Sequence, residues 1–282
     1  MGFRPLDEAA QPPRLRAPAG ACDCHMHFYN ARFPSAPSAL ITPDDAWIED
    51  YRKLQAHLGL ERVVVVQPTT YGLDNSCQIA ALEAFGKSAR AVFVVDRDTS
   101  EAELQRLHAL GGRGARFHML PGGALAWDAL EDVAAKIAPL GWHIQLQLNG
   151  RELPDHAARL AALPCPLVID HLGRFTPPVE PDHPAFRLLL DLLESGRCWV
   201  KLSAPYESFA DAPLDYALLA PLARALVKAA PERMLWASNW PHPGKDWLPE
   251  DAPLLDLLLE WVGDETLCEQ ILVDNPAALY GF

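Results

Sequence analysis

Apolar residues along this chain fall into short β-branched runs separated by longer stretches of helical period. The runs are 20–28 (GACDCHMHF), 62–67 (RVVVVQ), 90–96 (RAVFVVD), 114–119 (GARFHM), 142–148 (WHIQLQL), 166–171 (PLVIDH), 198–203 (CWVKLS) and 234–240 (MLWASNW). Each has the length and composition of a strand. Between them, an apolar stripe recurring every three to four residues predicts helices over 44–58, 74–86, 100–110, 127–139, 151–163, 184–195, 215–229 and 250–262. Thr42-Pro43-Asp44 offers a cap and an early proline for the first helix. Ser100 with Glu103 offers a capping box for the third, with Thr99 and Glu101 as an alternative. Glycines such as Gly59 and Gly111-Gly112 stand where helices would stop.

Parallel strands need long crossovers, usually helical. Eight strand–helix alternations of about 30 residues each therefore predict an α/β fold, a single (β/α)8 TIM barrel. Residues 1–19 are rich in Pro, Arg and Ala without periodicity and read as an N-terminal arm, which leaves 20–282 as the barrel. The tail ILVDNPAALYGF reads as a short closing helix beneath it. The segments 176–181 and 204–214 read as loops over the mouth.

Composition narrows the partners. With 24 Lys+Arg against 37 Asp+Glu the net charge is −13, which argues against nucleic acid or an anionic membrane, since both are held by clustered Lys and Arg. No apolar run is long enough to span a bilayer. No secretory leader is readable, and Leu6 breaks the myristoylation pattern that Met1-Gly2 opens. Six cysteines without a CxxC pair exclude a disulfide scaffold or a zinc ribbon. Cys22, Cys24, Cys165 and Cys198 lie in apolar runs and read as buried, inert thiols. A cytoplasmic protein is expected, and the sequence sets no oligomeric state.

In such a barrel the chemistry sits at the carboxyl ends of the strands. There the sequence concentrates polar residues: His25 and His27, Gln67, Asp96, Arg116 and His118, Gln145 and Gln147, Asp170 and His171, Lys201 and Ser203, Ser238 and Asn239. Residues two apart on a strand share a face, so His25 and His27 aim together into the mouth. Arg116 and His118 also share a face, and either can reach a substrate. His57, His108, His143, His156 and His183 fall on helices or near their ends and read as surface or capping residues. Trp236 and Trp240 read as packing residues beside the eighth strand.

These residues are set in longer stretches: Asp23-Cys24-His25-Met26-His27, Val66-Gln67-Pro68 through Tyr71-Gly72-Leu73-Asp74-Asn75, Gly114-Ala115-Arg116-Phe117 and Ile169-Asp170-His171-Leu172-Gly173-Arg174. Others are Trp199-Val200-Lys201, Trp236-Ala237-Ser238-Asn239-Trp240-Pro241-His242 and Val273-Asp274-Asn275-Pro276. With them the chain resembles the amidohydrolase superfamily. Within it, the resemblance is to the branch of 2-pyrone-4,6-dicarboxylate lactonases, 4-sulfomuconolactone hydrolases and D-galactarolactone isomerases. It runs in order from residue 20 to the C-terminus.

The resemblance implies lactone chemistry on a barrel of the amidohydrolase type. It implies a catalytic set of His25, His27, His171 and Asn239. It implies a substrate-binding set of Arg116, Gln67, Gln145, Gln147, Tyr71, Arg174, Lys201 and His242, with Arg116 on a carboxylate. In the pyrone lactonases the three matching histidines polarise the carbonyl without metal, and in the sulfomuconolactone hydrolases they hold one zinc. No cofactor is therefore required, while a single Zn on His25, His27 and His171 stays open.

Two positions depart from the branch. Glu207 stands where the pyrone lactonases carry a second arginine, which disfavours a flat dicarboxylate. Gln145 and Gln147 suit the hydroxyls of a sugar-derived substrate better. Asn239 stands where lactonases carry the aspartate that deprotonates water, and a neutral amide has no such function. The isomerases share the asparagine, and there a substrate hydroxyl attacks the carbonyl. The expectation is ring isomerisation of a small acidic lactone. Lactone hydrolysis in carbohydrate or aromatic-acid catabolism is the alternative, and a silent lactone-binding protein is a second. An asparagine introduced to trap a bound lactone would leave the same mark.

Overall fold

Four consecutive valines show how the strands arise. Val64 and Val66 join the cluster inside the barrel with Cys22, Cys24, Val92, Val168 and Leu235, while Val63 and Val65 pack outward against the helices. A strand buried on both faces shows no polar alternation, as a parallel sheet covered by helices requires. The computed structural model describes residues 3, 5–7, 9–209, 214–245, 247 and 249–282. Parts of the expected arm, the Met1-Gly2 pattern and residues 210–213 of the 204–214 loop lie outside the described residues.

The strands are β1 (Cys22–Met26), β2 (Arg62–Val66), β3 (Ala89–Phe93), β4 (Gly112–His118), β5 (His143–Gln147), β6 (Leu167–Ile169), β7 (Cys198–Ser203) and β8 (Met234–Ala237). They form one eight-stranded parallel sheet in chain order. The ring closes just beyond β8, where Asn239 N donates to His25 O at 2.8 Å and His27 N donates to Trp240 O at 2.8 Å. The helices are α1 (Ile48–Leu58), α2 (Ser76–Phe85), α3 (Glu101–Ala109), α4 (Leu130–Ile137), α5 (Leu153–Ala161), α6 (Pro184–Glu194), α7 (Ala220–Ala229) and α8 (Asp251–Val262). Short α9 (Glu265–Glu269) and α10 (Asn275–Tyr280) follow. The (β/α)8 barrel expected from the pattern is the fold observed.

Several local details have identifiable causes. Helix α1 starts at Ile48, not at the Thr42-Pro43-Asp44 cap. Ala46 is drawn into an antiparallel bridge with Tyr29, and Asp45 accepts Ala31 N at 2.6 Å, so these residues cannot enter the helix. Asp50 instead reaches back to Trp47 N at 3.4 Å. Ser100 caps α3 as expected, accepting Glu103 N at 3.2 Å. Glu103 spends its carboxylate on Arg106 rather than on the cap backbone.

His143 is not a helix-end residue. It opens β5, fully buried, with its ring against Gly114, where an added Cβ would lie 2.5 Å from Nε2. His183 does cap α6, accepting Ala185 N at 3.2 Å. All six cysteines are free and buried, and burial raises the Cys198 thiol to about 12. Below the strands Tyr280 plugs the barrel against Cys22 and Cys24, and its carbonyl accepts Arg113 Nε at 3.1 Å and Arg90 Nε at 3.2 Å. Among the described residues no helix is long and apolar enough to cross a membrane.

Candidate active site

Strand β1 carries the first two site residues through an irregularity. Cys22 and Cys24 already face the interior, so strict alternation would send His25 outward. The register against β2 shifts between Asp23 and Met26, and that bulge turns His25 and then His27 inward. Asp23 holds the bulge, accepting His25 N at 3.1 Å, Ser238 N at 3.0 Å, Ser238 Oγ at 2.5 Å and Tyr51 Oη at 3.0 Å. Burial raises its carboxyl to about 6 against these four donors.

Beneath the mouth, the barrel interior holds a buried polar cluster. Lys201 Nζ donates to Gln145 Oε1 at 2.6 Å and lies 3.2 Å from both Asp170 Oδ1 and His25 Nδ1. Gln145 Nε2 donates to Asp170 Oδ2 at 3.1 Å. Burial favours the neutral forms of this pair. It lowers the Lys201 ammonium, whereas for Asp170 the charge of Lys201 outweighs burial and holds the carboxyl well below its ordinary range. The ammonium occupies three acceptors with its three hydrogens.

The same contacts set the histidine protons. His27 Nδ1 donates to Val66 O at 2.8 Å, which leaves its Nε2 bare. That Nε2 faces His25 Nε2 at 3.2 Å. His25 therefore carries its proton on Nε2 and accepts from Lys201 at Nδ1. His171 Nδ1 meets Ser203 Oγ at 2.9 Å, so its other nitrogen is left for the site. Burial keeps all three imidazoles neutral, with His25 and His27 far below the ordinary value and His171 at about 4. His171 and Asn239 both adopt left-handed φ, 54° and 62°. Strained backbone of this kind gathers at functional sites.

Arg116 is the clearest unpaired charge. It is 5% exposed, donates to Gln67 O at 2.7 Å and to Gln147 Oε1 at 2.9 Å, and leaves Nε without a partner. None of the ion pairs among the described residues includes it. A buried guanidinium held only by neutral acceptors suits an incoming carboxylate. His118 shares Gln147 Oε1 at 3.1 Å, and burial lowers it to about 3.

Other expected substrate contacts are engaged within the protein. Gln67 Nε2 donates to Gly72 O and Asp74 O at 3.1 and 2.8 Å, leaving only Oε1 unpartnered. Tyr71 Oη meets the Asn30 backbone. Gln145 lies wholly inside the Lys201–Asp170 cluster. Arg174 is paired with Glu207 at 3.3 Å, whose other oxygen holds Lys245 at 2.9 Å, so one acid ties together the loops after β6, β7 and β8.

Asn239 Nδ2 donates to Tyr206 Oη at 2.9 Å, and Tyr206 Oη meets His242 Nδ1 at 2.8 Å. Asp170, Ser203, Tyr206 and Asp251 thus join the site without having been assigned to it from sequence. Asp170 and Ser203 stood at strand ends, where they were findable. Asp251 opens α8 and carries no such signal.

Among the described residues, His25, Asp170 and His171 place one donor atom each within 4.8 Å of one another. The 3.2 Å between the Nε2 atoms of His25 and His27 also matches two ligands on one tetrahedral ion at about 2.0–2.1 Å each. Of the three histidines expected to hold a single zinc, His25 and His171 thus lie in this group with Asp170, and His27 stands beside His25; an ion held there would polarise a carbonyl oxygen.

A barrel with an HxH pair on β1, a histidine beyond β6 and a polar residue closing β8 defines an amidohydrolase-type site. The amidohydrolase family profile matches residues 22–282, and the chain belongs to that family. It is 36% identical over 273 residues to D-galactarolactone isomerase of Agrobacterium fabrum, covering 95% of this chain and 93% of that one. It is 37% identical over 290 residues to the 2-pyrone-4,6-dicarboxylate hydrolase of Comamonas testosteroni, covering 98% and 95%. An apo crystal structure of an Agrobacterium tumefaciens protein superposes with a TM-score of 0.90 at 35% identity, covering 96% of this chain and 98% of that one.

Proposed function

We propose that this enzyme acts on the ester carbonyl of a small, carboxylated, sugar-derived lactone and that ring isomerisation prevails over hydrolysis. The observation that carries this reading is the neutral amide of Asn239 at the end of β8, with its nitrogen committed to Tyr206. Hydrolysis needs a base for water, and an amide cannot serve. A hydroxyl of the bound lactone needs less help, because its effective concentration at the carbonyl is high.

The residues then divide the work. Arg116 binds the carboxylate. The neutral imidazole of His171, whose second nitrogen is left for the site, and that of His25, whose Nε2–H turns from His27 to the substrate, supply N–H donors to the oxyanion that develops on the carbonyl. Lys201 and Asp170 orient His25 and compensate each other's charge. No resident metal is needed for these steps.

Hydrolysis is the second reading, favoured by the likeness to the Comamonas hydrolase. Proton NMR of the protein with a panel of aldaro-lactones and muconolactones tests the proposal. A rearranged lactone without free acid is the expected result, free acid alone would establish a hydrolase, and unchanged spectra across the panel would leave only a binding protein.

A further inference from the structure

A line of four polar side chains leaves the barrel mouth at Asn239 and ends under the N-terminal arm. Asn239 Nδ2 donates to Tyr206 Oη at 2.9 Å, and Tyr206 Oη is 2.8 Å from His242 Nδ1. His242 Nε2 is 3.2 Å from Asp251 Oδ1, a contact of charge without the alignment of a hydrogen bond. Tyr206 and His242 are 1% and 4% exposed. Two of the backbone kinks that aim these groups are left-handed, at Ala204 (φ 42°) and His242 (φ 62°). Beyond them, His242 and Asp251 border a cavity of about 340 Å³ shared with Phe3, His57 and Trp240.

The amide of Asn239 can only donate through Nδ2, so Tyr206 Oη accepts there. With the His242 proton on Nε2, the phenol's own proton is directed to His242 Nδ1 and one lone pair of its oxygen stays free. We propose that Tyr206, His242 and Asp251 form a proton relay for a hydroxyl of the lactone already held against the carbonyl, while the positioning of a water that a carboxylate at residue 239 would provide stays absent. This inference rests on the acyl-transfer reading above.

The steps balance. As the substrate hydroxyl attacks the carbonyl, its O–H breaks and the proton passes to Tyr206 Oη. The phenol's original O–H breaks as its proton moves to His242 Nδ1, and the imidazolium is paired with Asp251. When the ring C–O bond breaks, the protons run back and the leaving alkoxide receives one from Tyr206. No net proton is consumed, as isomerisation requires. Burial keeps the phenol protonated at rest, so the group passes a proton without standing as a phenolate. Tyr206 is the catalytic member, and His242 and Asp251 act through it.

Two measurements on the full chain test this. Long-range nitrogen-15 NMR of the histidines reads the His242 tautomer without substrate. The relay requires the proton on Nε2, and a proton on Nδ1 would overturn it, because Tyr206 would then have no acceptor. Tyr206→Phe keeps the ring and removes the hydroxyl. With a lactone that the wild type turns over, kcat should fall by about 10²-fold or more, in the range of general acid–base catalysis, while KM changes less than threefold. Asp251→Asn, which keeps the side-chain shape, should lower kcat about tenfold. Wild-type kcat in Tyr206→Phe with an unchanged melting temperature would overturn the relay. If no lactone in the panel reacts, the acyl-transfer reading falls, while the tautomer still decides the wiring.

Discussion

Lys201→Met removes a buried ammonium and leaves its partners behind. In the native protein Nζ touches Gln145 Oε1 at 2.6 Å and both Asp170 Oδ1 and His25 Nδ1 at 3.2 Å, all fully buried. Breaking a buried pair on one side typically costs about 3–5 kcal/mol, because a charge remains without compensation. For a chain of this size each kcal/mol moves the melting temperature by about 2–4 °C, so a fall of about 6–20 °C is expected. Asp170 would also take up a proton more readily, since burial then acts on it without the lysine's charge. Replacing both partners should behave differently: Lys201→Met with Asp170→Asn removes the orphaned charge and should recover at least half of the loss. Urea unfolding of the wild type, the single variant and the double variant measures both quantities. A single-variant loss below about 1 kcal/mol, the scale of an exposed pair, would refute the claim that the ammonium is a desolvated partner of Asp170.

Arg116→Ala should raise KM for a carboxylated lactone by about 10–100-fold with little change in folding, since a charge-assisted contact contributes about 1.5–3 kcal/mol; steady-state kinetics with melting curves check this, and unchanged KM would make Arg116 structural. Exhaustive chelation should leave activity intact and metal analysis should find well under one zinc per chain, so loss of activity that zinc restores would show that the three histidines hold a required ion. His143 is pushed down to about 3, first by burial and then by Lys201, so its folded value lies below the unfolded 6.5. The unfolded chain therefore binds the proton first, and the contribution is complete above pH 6.5 and lost as pH falls towards 3. The slope is up to about 1.4 kcal/mol per pH unit. Urea midpoints across this window should be flatter for His143→Gln, and an unchanged slope would place the ring in contact with solvent.

The strands were legible because a parallel barrel buries both faces, and runs such as Val63–Val66 announce that in composition alone. Helix starts were less legible. Asp44 looks like a first-turn acid, but the next residues are held elsewhere, Asp45 by its side chain on Ala31 N and Ala46 by a bridge with Tyr29, a segment far from α1's own periodicity. His143 looked like a helix-end residue because its neighbour Trp142 follows a helix stop, and only the space over Gly114 shows why an imidazole begins β5. His25, His27, Arg116 and Asn239 were found by their place at strand ends. Lys201, Gln145 and Asp170 were found the same way, but as separate residues: their cluster forms across the barrel from β7, β5 and the end of β6, and spacing within one strand says nothing of that meeting. The same applies to Asp251, which approaches His242 from α8.

Asn239→Asp tests the central claim most directly. The claim is that the absent carboxylate, and not the pocket, separates isomerisation from hydrolysis here. Proton NMR of wild type and variant with the same reactive lactone reads both products at once. Base assistance is typically worth about 10²–10⁴-fold, so free acid should appear with the variant at a rate at least 10²-fold above the wild type, alongside continued isomerisation. A variant that binds the lactone and still releases no acid would contradict the account.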